Sequence, residues 1–336
     1  MRRLCGVMGF AILVAAAGTG TPASAAPTPP DQASDGLLEA STHGPDPMSL
    51  DRRGRAPGAA PYDVDAHAAW SASQWDGAIN TTDQPDLTSL PAFHAVYVYP
   101  RDKASRFTQF AGLFQADARD TARLLGYGRA LRFDERVGAA GAPYLDITVM
   151  RSSYTAKRLG GGNQFSLVSN ELASRGFTNP NKKYFVWLDA PSQYCGQAQL
   201  YQDTRRSPDN YNERRTTAIV YRPYPTSDAS GGFCRGRTLL HELGHNMGAL
   251  QKVAPHAFDG AHCNDSAEDV MCYTSQASVD TGGPAFDWNN DDYWDPAANP
   301  ALASDAVLGW WTVNLSRFVC PAGDVASSCG DATAAP

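Results

Sequence analysis

The sequence lacks several features that would each fix a class. Its 336 residues contain no C-x-x-C pair, which argues against a zinc module held by thiolates. Its 28 basic residues are scattered among 35 acidic ones and form no dense basic stripe, so a nucleic-acid partner is disfavoured. Charged residues make up 19 % and apolar residues 43 %, an ordinary globular balance that excludes wholesale disorder, collagen and coiled coil. No G-x-S-x-G elbow supports serine hydrolase chemistry. Gly160-Gly161-Gly162 is not followed by lysine and is a loop rather than a phosphate cradle. There is no internal repeat and only one long apolar run, from Gly6 to Gly18, shorter than the ~20 residues that a membrane-spanning helix needs.

That run belongs to an N-terminal leader. Arg2 and Arg3 precede it, small residues follow, and Ala23-Ser24-Ala25 reads as an A-x-A cleavage site. Residues 1–25 are therefore expected to be a signal peptide, and the remainder a secreted, extracellular protein with no membrane attachment. Cys5 lies ahead of the apolar run, where it is no lipid anchor. Removing the leader leaves six cysteines, Cys195, Cys234, Cys263, Cys272, Cys320 and Cys329. An even number in an exported chain argues for disulfides. Nearest-neighbour pairing is expected: Cys195 with Cys234, Cys263 with Cys272, Cys320 with Cys329.

Residues 26–90 are rich in Ala, Pro, Gly, Asp and Ser without a sustained apolar period, and read as a linker or pro-segment. Arg52-Arg53-Gly54-Arg55 is either a processing site or a charged patch. From His94 the pattern changes. Strands are predicted at His94–Pro100, Ala130–Phe133, Tyr144–Met150, Lys183–Asp189 and Thr217–Arg222, with an edge strand at Gln197–Gln202. Helices are predicted over 105–125, Asn163–Arg175 and Gly236–Leu250, the second followed by Gly176 as a stop. This alternation predicts an α/β fold with a mixed, mostly parallel sheet. Beyond Ala257 the chain reads mostly as loop, with one further helix at Ser304–Trp311.

The chemistry lies at His241-Glu242-Leu243-Gly244-His245. Residues four apart share a helix face, so both histidines can turn a ring nitrogen toward one Zn²⁺. Glu242 is rotated off their line and can reach a water on the metal without ligating the metal. Zinc lowers the pKa of that water from about 15.7 toward 7, and the carboxylate takes the proton. The protonated acid can then deliver it to a leaving amine. Leu239, Leu240, Leu243 and Met247 supply an apolar face for the same helix.

His241-Glu-Leu-Gly-His245-Asn-Met-Gly248 resembles the metzincin metallopeptidase signature H-E-x-x-H-x-x-G-x-x-H/D, of a secreted bacterial type. Asp269-Val270-Met271-Cys272-Tyr273 resembles the Met-turn of the same family, with Met271 as an apolar floor beneath the metal. The likeness covers roughly residues 93–275. It implies a twisted α/β sheet with an active-site helix (upper subdomain about 91–250) and a loop-rich lower subdomain (about 251–336), together a catalytic domain over 91–336. It further implies one catalytic zinc ion, endopeptidase action on protein or peptide substrates by a monomer, and a role for Tyr273 at the metal or the oxyanion.

One position departs from the pattern. The family's third ligand falls at Gln251, and an amide is a poor zinc ligand. His256 and His262 lie downstream. His262 is preferred because it adjoins Cys263, which pairing with Cys272 would hold near Met271; His256, Gln251 and Asp259 are the alternatives. His43, His67 and His94 are poorly placed. A gluzincin arrangement would take Glu268 or Asp269 instead, but leaves Gly248 and Met271 unexplained. Asp287-Trp-Asn-Asn-Asp-Asp292-Tyr-Trp-Asp295 packs oxygen donors closely enough for Ca²⁺ or forms an acidic turn. Trp288, Trp294, Trp310 and Trp311 are either core or the lining of a ligand site. A zinc-binding but catalytically silent adhesion module is the competing function.

Overall fold

Strand segments rich in Val, Tyr, Phe and Trp need cover on both faces, and the fold provides it. The computed structural model describes residues 37–39, 75–123, 130–192, 195–221, 237–266, 269–272, 286–287, 292–294 and 310–320. All of them lie in the unit Asp35–Pro336. In chain order the strands are β1 (Leu37–Glu39), β2 (Ala92–Tyr99), β3 (Glu135–Val137), β4 (Pro143–Leu145), β5 (Ile147–Arg151), β6 (Lys182–Leu188), β7 (Gly196–Tyr201) and β8 (Thr217–Tyr221). The α-helices are α1 (Phe107–Arg123), α2 (Ala156–Leu159), α3 (Gln164–Ser174) and α4 (Arg237–Asn246).

The main sheet runs β7-β8-β6-β2-β5, and β1 adds to the open side of β7. β5, β2, β6 and β8 pair in parallel, whereas β7 is antiparallel to β8. This is a mixed, mostly parallel α/β fold. The side chains alternate with period two. Phe93, Ala95 and Tyr97 of β2 join Phe185, Trp187, Ala218 and Val220 in the layer covered by α1 and α4. Val96 and Val98 join Tyr184, Val186, Leu188, Ile219 and Tyr221 under Phe165, Val168 and Leu172 of α3. Burial on both faces is what a central parallel strand requires. On the α1 side the rings of Phe114 and Trp187 stack at 4.3 Å between centroids, a contact worth about 0.5–1.5 kcal/mol beyond the area it buries.

Three predicted elements differ from those formed. Tyr144–Met150 is not one strand. It divides at Asp146, whose amide bonds Asp134 O and whose Oδ2 accepts from Gln84 N at 2.7 Å, so β4 pairs with β3 and β5 with β2. Ala130–Phe133 forms no strand but two isolated bridges, Phe93 with Phe133 and Leu131 with Val319. The helix expected to reach Leu250 stops at Asn246, because Gly248 takes φ +85° and Ala249 N–H caps Gly244 O. A side chain at 248 would also stand 2.8 Å from the Asn212 amide. The predicted helix at Ser304–Trp311 lies outside the described residues up to 309, and Trp310 and Trp311 are not helical.

Residues 310–320 return to the sheet layer. Cys320 N–H donates to Ala130 O, Arg132 N–H donates to Phe318 O, and the Trp311 indole donates to Met247 O at 2.8 Å. Among the described residues no helix is long and apolar enough to cross a membrane.

Candidate metal centre

Helix α4 is held so that one face meets the core and the other meets the loop that follows. Leu239, Leu240, Leu243 and Met247 are fully buried. The Asn246 amide donates to Gln199 O of β7 at 2.9 Å and to Thr217 O of β8 at 3.1 Å, which fixes the helix against the sheet edge. With that face committed, His241 and His245 point together, and their Nε2 atoms lie 3.0 Å apart.

The third member of the cluster is His262. Ring nitrogens of His241, His245 and His262 all lie within 4.8 Å of one another, and all three side chains are buried. The His262 ring stacks on His241 at 5.3 Å between centroids and meets His245 edge-on at 5.1 Å. Each of two outward nitrogens has an acceptor: His241 Nδ1 bonds Val270 O at 2.7 Å, and His262 Nδ1 bonds Asp259 Oδ2 at 2.7 Å. A ligating histidine needs such a partner to fix its tautomer and leave the other nitrogen for the metal. Burial would raise the Asp259 carboxyl, but the hydrogen bond and charge of His262 and two backbone N–H groups hold it below the usual range.

This donor set fits zinc. Two nitrogens on a tetrahedral zinc at ~2.0–2.1 Å stand ~3.3 Å apart, close to the spacing of the His241 and His245 nitrogens. Three imidazoles leave a fourth position open, as in catalytic rather than structural sites.

The other ligand candidates are engaged elsewhere. After Gly248 the chain also takes a positive φ of 53° at Leu250, and this double turn carries residue 251 away from the histidines. The Gln251 amide donates to Asp203 O at 2.9 Å. His256 Nδ1 pairs with Asp292 Oδ1 at 3.1 Å. His94 is a core residue between Asp134 and Thr148, at 2.7 and 2.9 Å. Asp269 accepts from Met271 N–H and from the Tyr293 hydroxyl and belongs to a separate acidic group, while Glu268 lies outside the described residues.

A disulfide joins Cys263 to Cys272, the residues after His262 and after Met271. Cys263 N–H donates to Met271 O at 3.2 Å. Met271 packs against Gly244, where an added Cβ would stand 2.9 Å from its Sδ. Cys195 and Cys320 are also disulfide-bonded, while Cys234 and Cys329 lie outside the described residues.

Glu242 is fully buried, and burial pushes its carboxyl well above the usual range, partly offset by the charge of His262. It sits against β7. A Cβ on Gly196 would lie 2.1 Å from Glu242 Oε1, so only glycine lets the strand pass there. Tyr273 lies outside the described residues. The calcium expectation at Asp287–Asp295 draws no support from this arrangement. Asp287 caps its own turn at φ +65°, accepting from Asp292, Tyr293 and Trp294 N–H, and burial with the neighbouring Asp269 raises its carboxyl. Asn289, Asn290, Asp291, Asp295 and Trp288 lie outside the described residues; Trp294 and Trp311 are core.

Sequence reasoning missed Asp259 as the partner of His262, Asn246 as the tie to the sheet, and Gly196. An Asp three residues ahead of a histidine was the available signal for the first.

The chain matches no protein-family model and no curated protein sequence. Among solved structures it is similar to metalloproteinase-II from Bacteroides fragilis, with 17 % identity and a TM-score of 0.32 over 67 % of this chain and 58 % of that one. It is similar to archaemetzincin from Methanopyrus kandleri, with 15 % identity and a TM-score of 0.29 over 58 % of this chain and 89 % of that one. OgpA from Akkermansia muciniphila gives 12 % identity and 0.31 over 64 % and 66 %. The chain thus spans little more than half the length of the Bacteroides protein.

Proposed function

We propose that this chain is a secreted zinc-dependent endopeptidase of metzincin-like type. The observation that carries the reading is the convergence of His241, His245 and His262, each buried, beside a Glu242 on the same helix. His241, His245 and His262 would hold the zinc, which when bound would supply a Lewis acid for a scissile carbonyl and for a water. Glu242, buried on the same helix, would take the proton of the attacking water. The same carboxyl then returns the proton to the departing amine. Asp259 and the Val270 carbonyl hold His262 and His241 in the tautomers that face the metal. Met271 gives the site an apolar floor, and Tyr273 is assigned to the developing oxyanion. The leader at residues 1–25 supports export, and 26–90 is assigned as a linker or pro-segment.

Casein hydrolysis by protein recovered from culture medium tests this reading. Activity should vanish with a zinc chelator and return with zinc. Glu242→Gln should keep stoichiometric zinc and lose about 10²–10⁴-fold in rate, the range for a lost general base. A zinc-loaded protein that cleaves nothing across a broad peptide library is instead a silent zinc-binding module. A protein that binds no zinc, or hydrolyses fully without His241 and His245, overturns the reading.

A further inference from the structure

Asp146 breaks the Tyr144–Met150 run and turns inward, and it meets a second group of donors there. Asp83, His94, Asp134 and Asp146 each bring an atom of a metal-binding kind within 4.8 Å of the others, and all but Asp83 are buried. They come from four stretches of chain: the segment ahead of β2, β2 itself, the residue before β3, and the gap between β4 and β5. His94 Nδ1 lies 2.7 Å from Asp134 Oδ2, 3.7 Å from Asp83 Oδ1 and 4.0 Å from Asp146 Oδ2. These spacings bracket the ~3.3 Å between donors on a tetrahedral ion held at ~2.0–2.1 Å. Thr148 Oγ1 holds the opposite nitrogen, Nε2, at 2.9 Å. With Nε2–H donating to Thr148, the Nδ1 lone pair faces the carboxylates, the arrangement that a ligating histidine requires.

The charge balance points to a ligand independently of those spacings. Asp86 joins the group through Lys182, whose Nζ donates to Asp83, Asp86 and Asp134 at 2.7 Å each. Among the described residues, one ammonium against four carboxylates leaves an excess of negative charge beside a neutral His94. Arg136, whose charge also reaches Asp146, is committed to Asp76 through two bonds of 2.7 Å. Asp146 Oδ2 accepts from Gln84 N–H, but its Oδ1 is buried and accepts no hydrogen bond. A buried carboxylate oxygen without a donor is costly until a proton or a cation meets it. We infer that Asp83, His94, Asp134 and Asp146 form a second divalent-cation site. It lies on the α3 face of the sheet, where the His94 ring packs on Phe177 and Tyr184, and is separate from the triad on α4. An imidazole among carboxylates suits a borderline ion such as zinc rather than calcium, which takes oxygen donors only. Asp83, with 37 % of its side chain exposed, gives the ion a route in. Binding fastens the segment ahead of β2 to the strands behind it and releases the protons that the metal-free cluster holds.

The test removes the helix centre first, so that only this site is read. The full chain carrying His241→Ala and His245→Ala is stripped with a chelator, freed of it, and titrated with zinc against a chromophoric competitor. One zinc ion should bind per chain, release protons to an indicator dye, and raise the thermal unfolding midpoint, as a ligand of the folded state does. Asp83→Asn and Asp146→Asn, each added to that background, should weaken the binding by about tenfold or more. A cooperative unfolding transition without zinc confirms that each variant folds, and the half-exposed Asp83 keeps the test open if Asp146→Asn does not. Unchanged affinity in either folded variant puts the ion elsewhere and overturns the assignment. A stripped chain that binds no zinc overturns it too, and leaves Lys182 and protons as the whole counter-charge. None of these results bears on the peptidase reading, which depends on the triad.

Discussion

Removing the Cys263–Cys272 disulfide should weaken zinc binding before it unfolds the protein. The bond ties the residue after His262 to the residue after Met271, with a sequence separation of 9. Loop-closure entropy for about nine residues gives ~2.6 kcal/mol at 25 °C. Of the three ligand positions, His241 and His245 ride on α4, which Asn246 and the leucine face fix independently. His262 alone sits on a loop, held by Asp259, the Cys263–Met271 backbone bond and the disulfide. The released entropy therefore falls mainly on the third ligand, and ~2.6 kcal/mol corresponds to roughly an 80-fold loss in zinc affinity. The assay is competition against a chromophoric zinc chelator with the double variant Cys263→Ala/Cys272→Ala, with thermal unfolding recorded in parallel. If the zinc dissociation constant stays within about twofold of wild type while the unfolding midpoint falls by several degrees, the bond acts only on global unfolding, and the argument that it positions His262 is wrong.

Three further outcomes follow from the geometry. Gly196→Ala places a Cβ 2.1 Å from Glu242 Oε1 and must displace that carboxyl; hydrolysis should fall by about tenfold or more while zinc content stays at one ion, and an unchanged rate would separate Glu242 from catalysis. Asp259→Asn removes the charged partner of His262 and should raise the zinc dissociation constant about 10–100-fold, read by the same chelator competition. Asp146 gives a pH signature. Burial pushes its carboxyl from 3.8 up to about 6. The folded chain then holds a proton that the unfolded chain has released between these values, so folding stability falls as pH rises from 3.8 to 6. The full penalty, of order 3 kcal/mol, applies above 6. Asp146→Asn should flatten that fall in urea unfolding midpoints measured at pH 4 and pH 7; an unchanged slope refutes the assignment.

The strands at β2, β6, β7 and β8 and the helices α1 and α3 were legible to within a few residues because each carries its own local signal. β2, β6 and β8 are runs of branched and aromatic residues, α1 has a 3.6-residue apolar period, and α3 is followed by a glycine at φ +91°. The failures lie where a long-range partner overrode the local signal. Tyr144–Met150 has the composition of one strand, yet Asp146 is drawn inward by Gln84 and Asp134 and breaks it. The C-terminal end of the metal helix was overrun because Leu250 continues an apolar period that the backbone no longer follows once Gly248 has turned.

The histidine pair on α4 shows the same division. His241 and His245 were fixed by the sequence alone, because the helical repeat puts residues four apart on one face whatever surrounds them. Gln251 was disfavoured by its chemistry but stayed an alternative, and the fold engages its amide with Asp203 O. His262 over His256 was a matter of tertiary structure. Both lie in loop, and what separates them is that Asp292 holds one while Asp259 and the Cys263–Cys272 bond hold the other against α4. Spacing along a chain fixes neighbours only where a regular backbone repeats; across a loop, only the folded contacts determine which groups meet.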